Sequence, residues 1–218
     1  EIYTLSLHDA LPISSLGIRM SAFLGPIHFW LYNKIRFQEG LSDRILSHAK
    51  EQRWKNAGSI AGKYEISELK PLEELIDLRN IHGWLQSRIQ EAESRYANIV
   101  TEILAENPSV LPELEQVAYD FGADNPVEAK DVASDVYRKF DDTLLNGMPC
   151  DRVNVITSQD NDLYTWEQAE DIHGSYWKAA AGNPEVYYRL RLKVMEGMLK
   201  NSRISIGASD FKDRKRHV

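Results

Sequence analysis

Apolar residues recur at three- and four-residue spacing along most of the chain, and strand-like alternation is nearly absent. Ile27, Trp30, Leu31, Ile35, Gln38, Leu41, Ile45 and Ala49 form the first such stripe, behind a Gly25-Pro26 step. Proline is tolerated there because the first amide of a helix has no intrahelical acceptor. The spacing predicts a helix that begins at Pro26 and stops at Asn56-Ala57-Gly58, with charges such as Lys34, Arg44 and Lys50 mostly off the stripe. Lys70-Pro71 opens a short helix carrying Leu72, Leu75, Ile76 and Leu78. Asn80 then caps a long one that runs to about Glu106, with Trp84, Leu85, Ile89, Ala92, Tyr96, Ile99 and Ile103 inward. Further helices are expected over residues 110–121, 126–146, 162–181 and 184–201. The breaks between them fall at Asn107-Pro108, Asn125-Pro126, residues 146–150 and Gly182-Asn183-Pro184. About seven helices with short connections predict an all-α antiparallel multi-helix bundle.

The two ends of the chain read differently from its middle. Residues 1–13, EIYTLSLHDALPI, and residues 213–218, DRKRHV, both resemble in-frame translations of sequencing adapters. Setting such segments aside before fold reasoning gives an expected single helical domain over residues 20–205, with 14–19 and 206–212 unassigned. The two end segments contribute Glu1, Asp9 and Asp213 against Arg214, Lys215 and Arg216, so the formal charge stays at −7. The basic cluster at 212–216 therefore carries no nucleic-acid signal, and the acidic remainder argues against a phosphate-backbone partner. No apolar run long enough to span a membrane and no signal-peptide pattern is present, and the single Cys150 makes no internal disulfide and no CxxC site. Cytoplasmic residence is the expectation, with a small molecule or a second copy of the chain as the partner rather than nucleic acid or membrane.

Chemistry enters through an internal near-repeat. Residues 27–39 and 81–93 share I-H-x-W-L-x-x-[KR]-I-x-x-x-E, which places His28 with Glu39 and His82 with Glu93; Ile172-His173 is a weaker third echo. Eleven residues of α-helix turn close to three full circles and rise about 16 Å, so each His and Glu share a face but cannot share an ion. Antiparallel packing would instead bring His28 to Glu93 and Glu39 to His82, with His173 approaching from a late helix. Imidazole and carboxylate together suit a transition metal such as zinc or iron. Glu170 with His173 adds one Glu-x-x-His step, where a carboxylate-bridged di-metal bundle needs two.

The same residues support quieter readings. Ile-His-x-Trp-Leu at a helix start serves equally as a packing unit whose imidazole makes one buried hydrogen bond. A histidine oriented by Glu39, Glu93 or Glu170 would instead serve acid–base catalysis. Cys150 lies in a break between helices as a further candidate ligand or nucleophile, although Asp151 beside it disfavours a thiolate. Trp166, Tyr176, Trp177, Tyr187 and Tyr188 form an aromatic group that fits either a core or a pocket wall.

The segments FLGPIHFWLYNKI at residues 23–35, NIHGWL at 80–85 and NGMPCD at 146–151 resemble a family of small bacterial helical proteins. The resemblance spans about residues 20–202. It implies an intact helical domain and, with no activity attached to that family, no reaction.

Overall fold

The computed structural model describes residues 23–66, 70–128, 130–159 and 163–208. The adapter-like ends, residues 14–19 and most of the 206–212 segment lie outside these. Among the described residues the protein is mostly helical, with eight α-helices and one two-stranded sheet: α1 (Pro26–Glu51), α2 (Ala57–Tyr64), α3 (Leu72–Leu75), α4 (Ile81–Glu106), α5 (Leu111–Ala123), α6 (Ala133–Thr143), β1 (Asn154–Gln159), β2 (Tyr164–Gln168), α7 (Gly174–Ala179) and α8 (Pro184–Met198). No helix is long and apolar enough to cross a membrane.

The two long helices start where the sequence indicates and α4 stops at Glu106 as expected, whereas α1 ends at Glu51, and the Asn56-Ala57-Gly58 step expected to close it begins α2 instead. Pro26 sits in the first turn of α1, and the Asn80 side chain accepts a hydrogen bond from Gly83 N–H at the start of α4. Their inward stripes bury Leu31, Ile35 and Ile45 from α1 and Leu85, Ile89, Tyr96 and Ile99 from α4. Burial of such side chains contributes about 1.5–3 kcal/mol each, the main force holding the pair together.

Direction is where expectation and structure part. His28 meets His82, Tyr32 meets Trp84, and Glu39 meets Arg95. Contacts that advance together along both helices mean that α1 and α4 lie parallel, with the two copies of the near-repeat side by side. α2 carries the chain back along α4, where Lys63 and Tyr64 reach Glu102 and the Tyr64 carbonyl accepts from Arg95 Nε.

The C-terminal half differs from the expected helices in two places. The segment expected as a helix over 126–146 is helical only in α6. In place of the expected helix over 162–181 come β2, which pairs antiparallel with β1 of the preceding segment to form a hairpin, and the short α7. The run Val155-Ile156-Thr157 favours extended backbone, because branching at Cβ restricts the side chain in a helix. Tyr137 of α6 stacks on Tyr164 at 4.6 Å and leans on Trp166, and this anchors the hairpin to the helices.

Candidate functional site

Two places gather the histidines. The first is the shared N-terminal end of α1 and α4, where the imidazoles of His28 and His82 stand 5.7 Å apart between centroids. His28 closes the first turn of α1: its Nδ1 accepts the Gly25 N–H at 2.9 Å. In a neutral imidazole that leaves the proton on Nε2. The motif tryptophans each lie beneath a cation one turn on, Lys34 over Trp30 at 3.9 Å and Arg88 over Trp84 at 5.4 Å. The [KR] position of the near-repeat is thus a cation–π partner, and Trp30 Nε1 donates to Asp142 of α6 at 2.8 Å.

The second place is buried. His173, only 1% exposed, precedes α7 and meets Glu93 of α4 through Nδ1 at 2.9 Å. Its Nε2 faces Asn146 Oδ1 at 3.2 Å and the Tyr187 hydroxyl at 3.0 Å, and the ring stacks on Tyr187. Arg191 Nη1 donates to the Tyr187 hydroxyl and to the Leu145 carbonyl. A Glu-His-Tyr-Arg chain therefore ties α4, α7, α8 and the loop after α6 together. Burial holds the Tyr187 and Tyr96 hydroxyls well above the usual phenol range, with Glu93 adding to the effect and Arg191 opposing it.

Around this centre several polar atoms lack partners: Glu93 Oε2, the Tyr96 hydroxyl, Gln38 Nε2 and Trp177 Nε1. Lys34 is 2% exposed. Burial, reinforced by Arg191 and opposed by Asp141 and Asp142, lowers its pKa to about 8.

The candidate residues thus scatter. Glu93 pairs with His173 and not with His28. Glu39 pairs with Arg95 at 2.5 Å and not with His82; burial pushes its carboxyl up while Arg95 pulls it down. Arg95 also reaches Asp43. Glu170 is exposed and outside any helix, so the Glu-x-x-His step of a di-metal bundle does not form. Asp171 does the local work instead, accepting from Tyr188 O–H at 2.6 Å and Gly174 N–H at 2.7 Å. Burial acts to raise the Asp171 carboxyl, but these two donors outweigh it and leave the group below its ordinary value. Cys150 is exposed in a single helical turn, its thiol 3.8 Å from Asp151. Among the described residues, no group of three or more His, Cys, Asp and Glu side chains is arranged to hold a metal ion.

Trp177 and Tyr187 of the aromatic group are core, with Trp177 edge-on to Tyr96. Sequence reasoning missed Asn146, Arg191, Arg95 and the burial of Lys34. A signal existed for two of them, since Tyr187 and Arg191 stand one helical turn apart and Lys34 lies one turn from both Trp30 and Gln38. No family model, no curated protein and no solved structure matches the chain.

Proposed function

We propose that the protein is a helical interaction module, regulatory or scaffolding in role, whose contact surface is the end where α1 and α4 begin. The observation that supports this reading is how the polar chemistry is used. His28 completes the first turn of α1, Glu39 holds Arg95, and Glu93 and His173 hold each other, so these four side chains serve the fold. At the shared end large apolar side chains face solvent: Phe23 is 76% exposed, and Ile27 and Leu78 are exposed as well. These exposed apolar side chains are the contact surface this reading assigns. A second copy of the chain is the partner argued for, because a patch that meets itself across a twofold axis is covered without any other molecule.

Sedimentation equilibrium of the purified protein tests this. Wild type is expected to associate into dimers, and Ile27→Asp with Leu78→Asp to remain monomeric with an unchanged helical spectrum. A wild-type chain that stays monomeric to millimolar concentration would overturn the self-association reading.

One observation favours a second reading, a transition-metal site. The separation of His28 and His82 suits two imidazoles on one zinc-like ion, with water or an external anion completing the shell. Binding there would require His28 to release Gly25 N–H or shift its proton from Nε2, and the two helix N-termini would oppose the ion by about 0.3–1 kcal/mol each. Zinc titration by calorimetry distinguishes the two: heat lost in both His28→Ala and His82→Ala but kept in His173→Ala would favour the metal site.

A further inference from the structure

The hydrogen bonds around His173 have a polarity that fixes where the protons lie. Asn154 Oδ1 accepts from Asn146 Nδ2 at 3.2 Å, and this turns Asn146 Oδ1 toward His173 Nε2. A carbonyl oxygen only accepts, so Nε2 carries a proton. The Tyr187 hydroxyl fits that assignment: its oxygen accepts from Arg191 Nη1 and keeps a second lone pair for Nε2. With Nε2 protonated, a neutral imidazole would turn the bare lone pair of Nδ1 toward Glu93 Oε1, 2.9 Å away. Two bare acceptors at that distance repel, so a further proton lies between them. We propose that Glu93 and His173 share one buried proton and that this proton is a pH-sensitive latch holding α7 against α4.

Burial points the same way. The two side chains are 1% and 2% exposed, and Glu93 Oε2 has no hydrogen-bond partner. A bare carboxylate would bear its desolvation cost there with one oxygen unpaired, whereas the shared proton leaves the pair neutral overall. The other ionisable groups facing the pair are Tyr96 on α4, Tyr176 on α7, Tyr187, Tyr188 and Arg191 on α8, and Asp171 just before α7. Asp151 acts on Tyr176 from the turn at 149–151. Arg191 spends Nη1 on the Tyr187 hydroxyl and the Leu145 carbonyl, and Asp171 is engaged by Tyr188 and Gly174. His173 is therefore the group in contact with Glu93 that balances it.

The proton makes the contact depend on pH. When α7 lifts from α4 both groups reach water, and a free imidazole gives up its proton above about pH 6.5. Opening then releases one proton, so the folded contact binds more protons than the open one, and raising the pH favours opening. The opening equilibrium grows about tenfold per pH unit for as long as the closed pair keeps its proton.

Nitrogen-15 NMR of the imidazoles in the full chain at pH 7.5 tests the proton. Nε2 of His173 is expected to be protonated, together with either Nδ1 or the Glu93 carboxyl, the latter read from its carbon-13 shift. A bare Nε2 overturns the proposal. Hydrogen exchange tests the latch at the Ala180 and Gly182 amides, which bond to the Tyr176 and Trp177 carbonyls at the end of α7. After correction for the intrinsic rate, opening there should be about tenfold more frequent at pH 8.5 than at pH 7.5. Glu93→Gln should flatten that slope. A corrected rate in wild type that does not change with pH overturns the latch, and this comparison stands even where the variant fails to fold.

Discussion

At the residue scale the core contains two ionisable arrangements with opposite energetic character. Glu93 Oε1 and His173 Nδ1 hold each other where both side chains are almost fully buried, and loss of one leaves the other without its partner. His173→Phe keeps ring volume but strands the carboxylate. Urea unfolding should show about 3–5 kcal/mol of lost stability, whereas the exposed His82→Phe should change little. Lys34 is the reverse case, because Asp141 and Asp142 only partly offset its burial, which Arg191 reinforces, and its ammonium rests on the Trp30 ring. With a pKa near 8 in the folded chain against 10.5 unfolded, the folded state binds fewer protons between these values. Stability therefore rises with pH from about 8 to 10.5 on account of this group, and the cost of the buried charge is fully present below pH 8. Lys34→Met is expected to stabilise the protein by about 1–3 kcal/mol at pH 7, and the gain should shrink at pH 10. Urea melts of both chains at the two pH values measure it.

At the element scale, α5 and α8 approach closely at two glycines. A Cβ on Gly122 would lie 2.0 Å from the Val194 carbonyl oxygen, and one on Gly197 the same distance from that of Tyr119. Both obstacles are backbone, so neither can swing aside as a side chain would. Gly122→Ala and Gly197→Ala should each separate the helices and cost about 1–3 kcal/mol, measured by thermal or urea unfolding. The same alanine at Gly58 or Gly62 of α2, where a Cβ meets nothing within 4 Å, should be neutral or slightly stabilising. The helices themselves were legible in the sequence because each buries one stripe, and that stripe repeats with the helical period. The hairpin was not, for the same reason inverted. Val155 and Ile156 are both exposed, so β1 has no buried face and its pattern carries no alternation to read.

At the scale of the whole molecule, the near-repeat shows what spacing can and cannot specify. Residues 27–39 and 81–93 indicate two helices with equivalent faces, and the structure lays those faces side by side; the direction of one relative to the other was not encoded in the pattern. It depends on the connection: α2 and α3 return the chain, so α4 starts where α1 started. That is why the His–Glu pairs expected across antiparallel helices were replaced by His28 beside His82 and Glu39 beside Arg95. The two arrangements differ by a large distance. Both helices have 26 residues, a length of about 39 Å, so antiparallel packing would hold the two N-termini roughly that far apart. With Cys150→Ser to remove the exposed native thiol, the double variant His28→Cys and His82→Cys should be joined by a short bismaleimide within one molecule. The expected product is a single species of accelerated gel mobility at low protein concentration. Pairing His28→Cys with Glu106→Cys, at the far end of α4, should give none, and the opposite result would require α1 and α4 to run antiparallel.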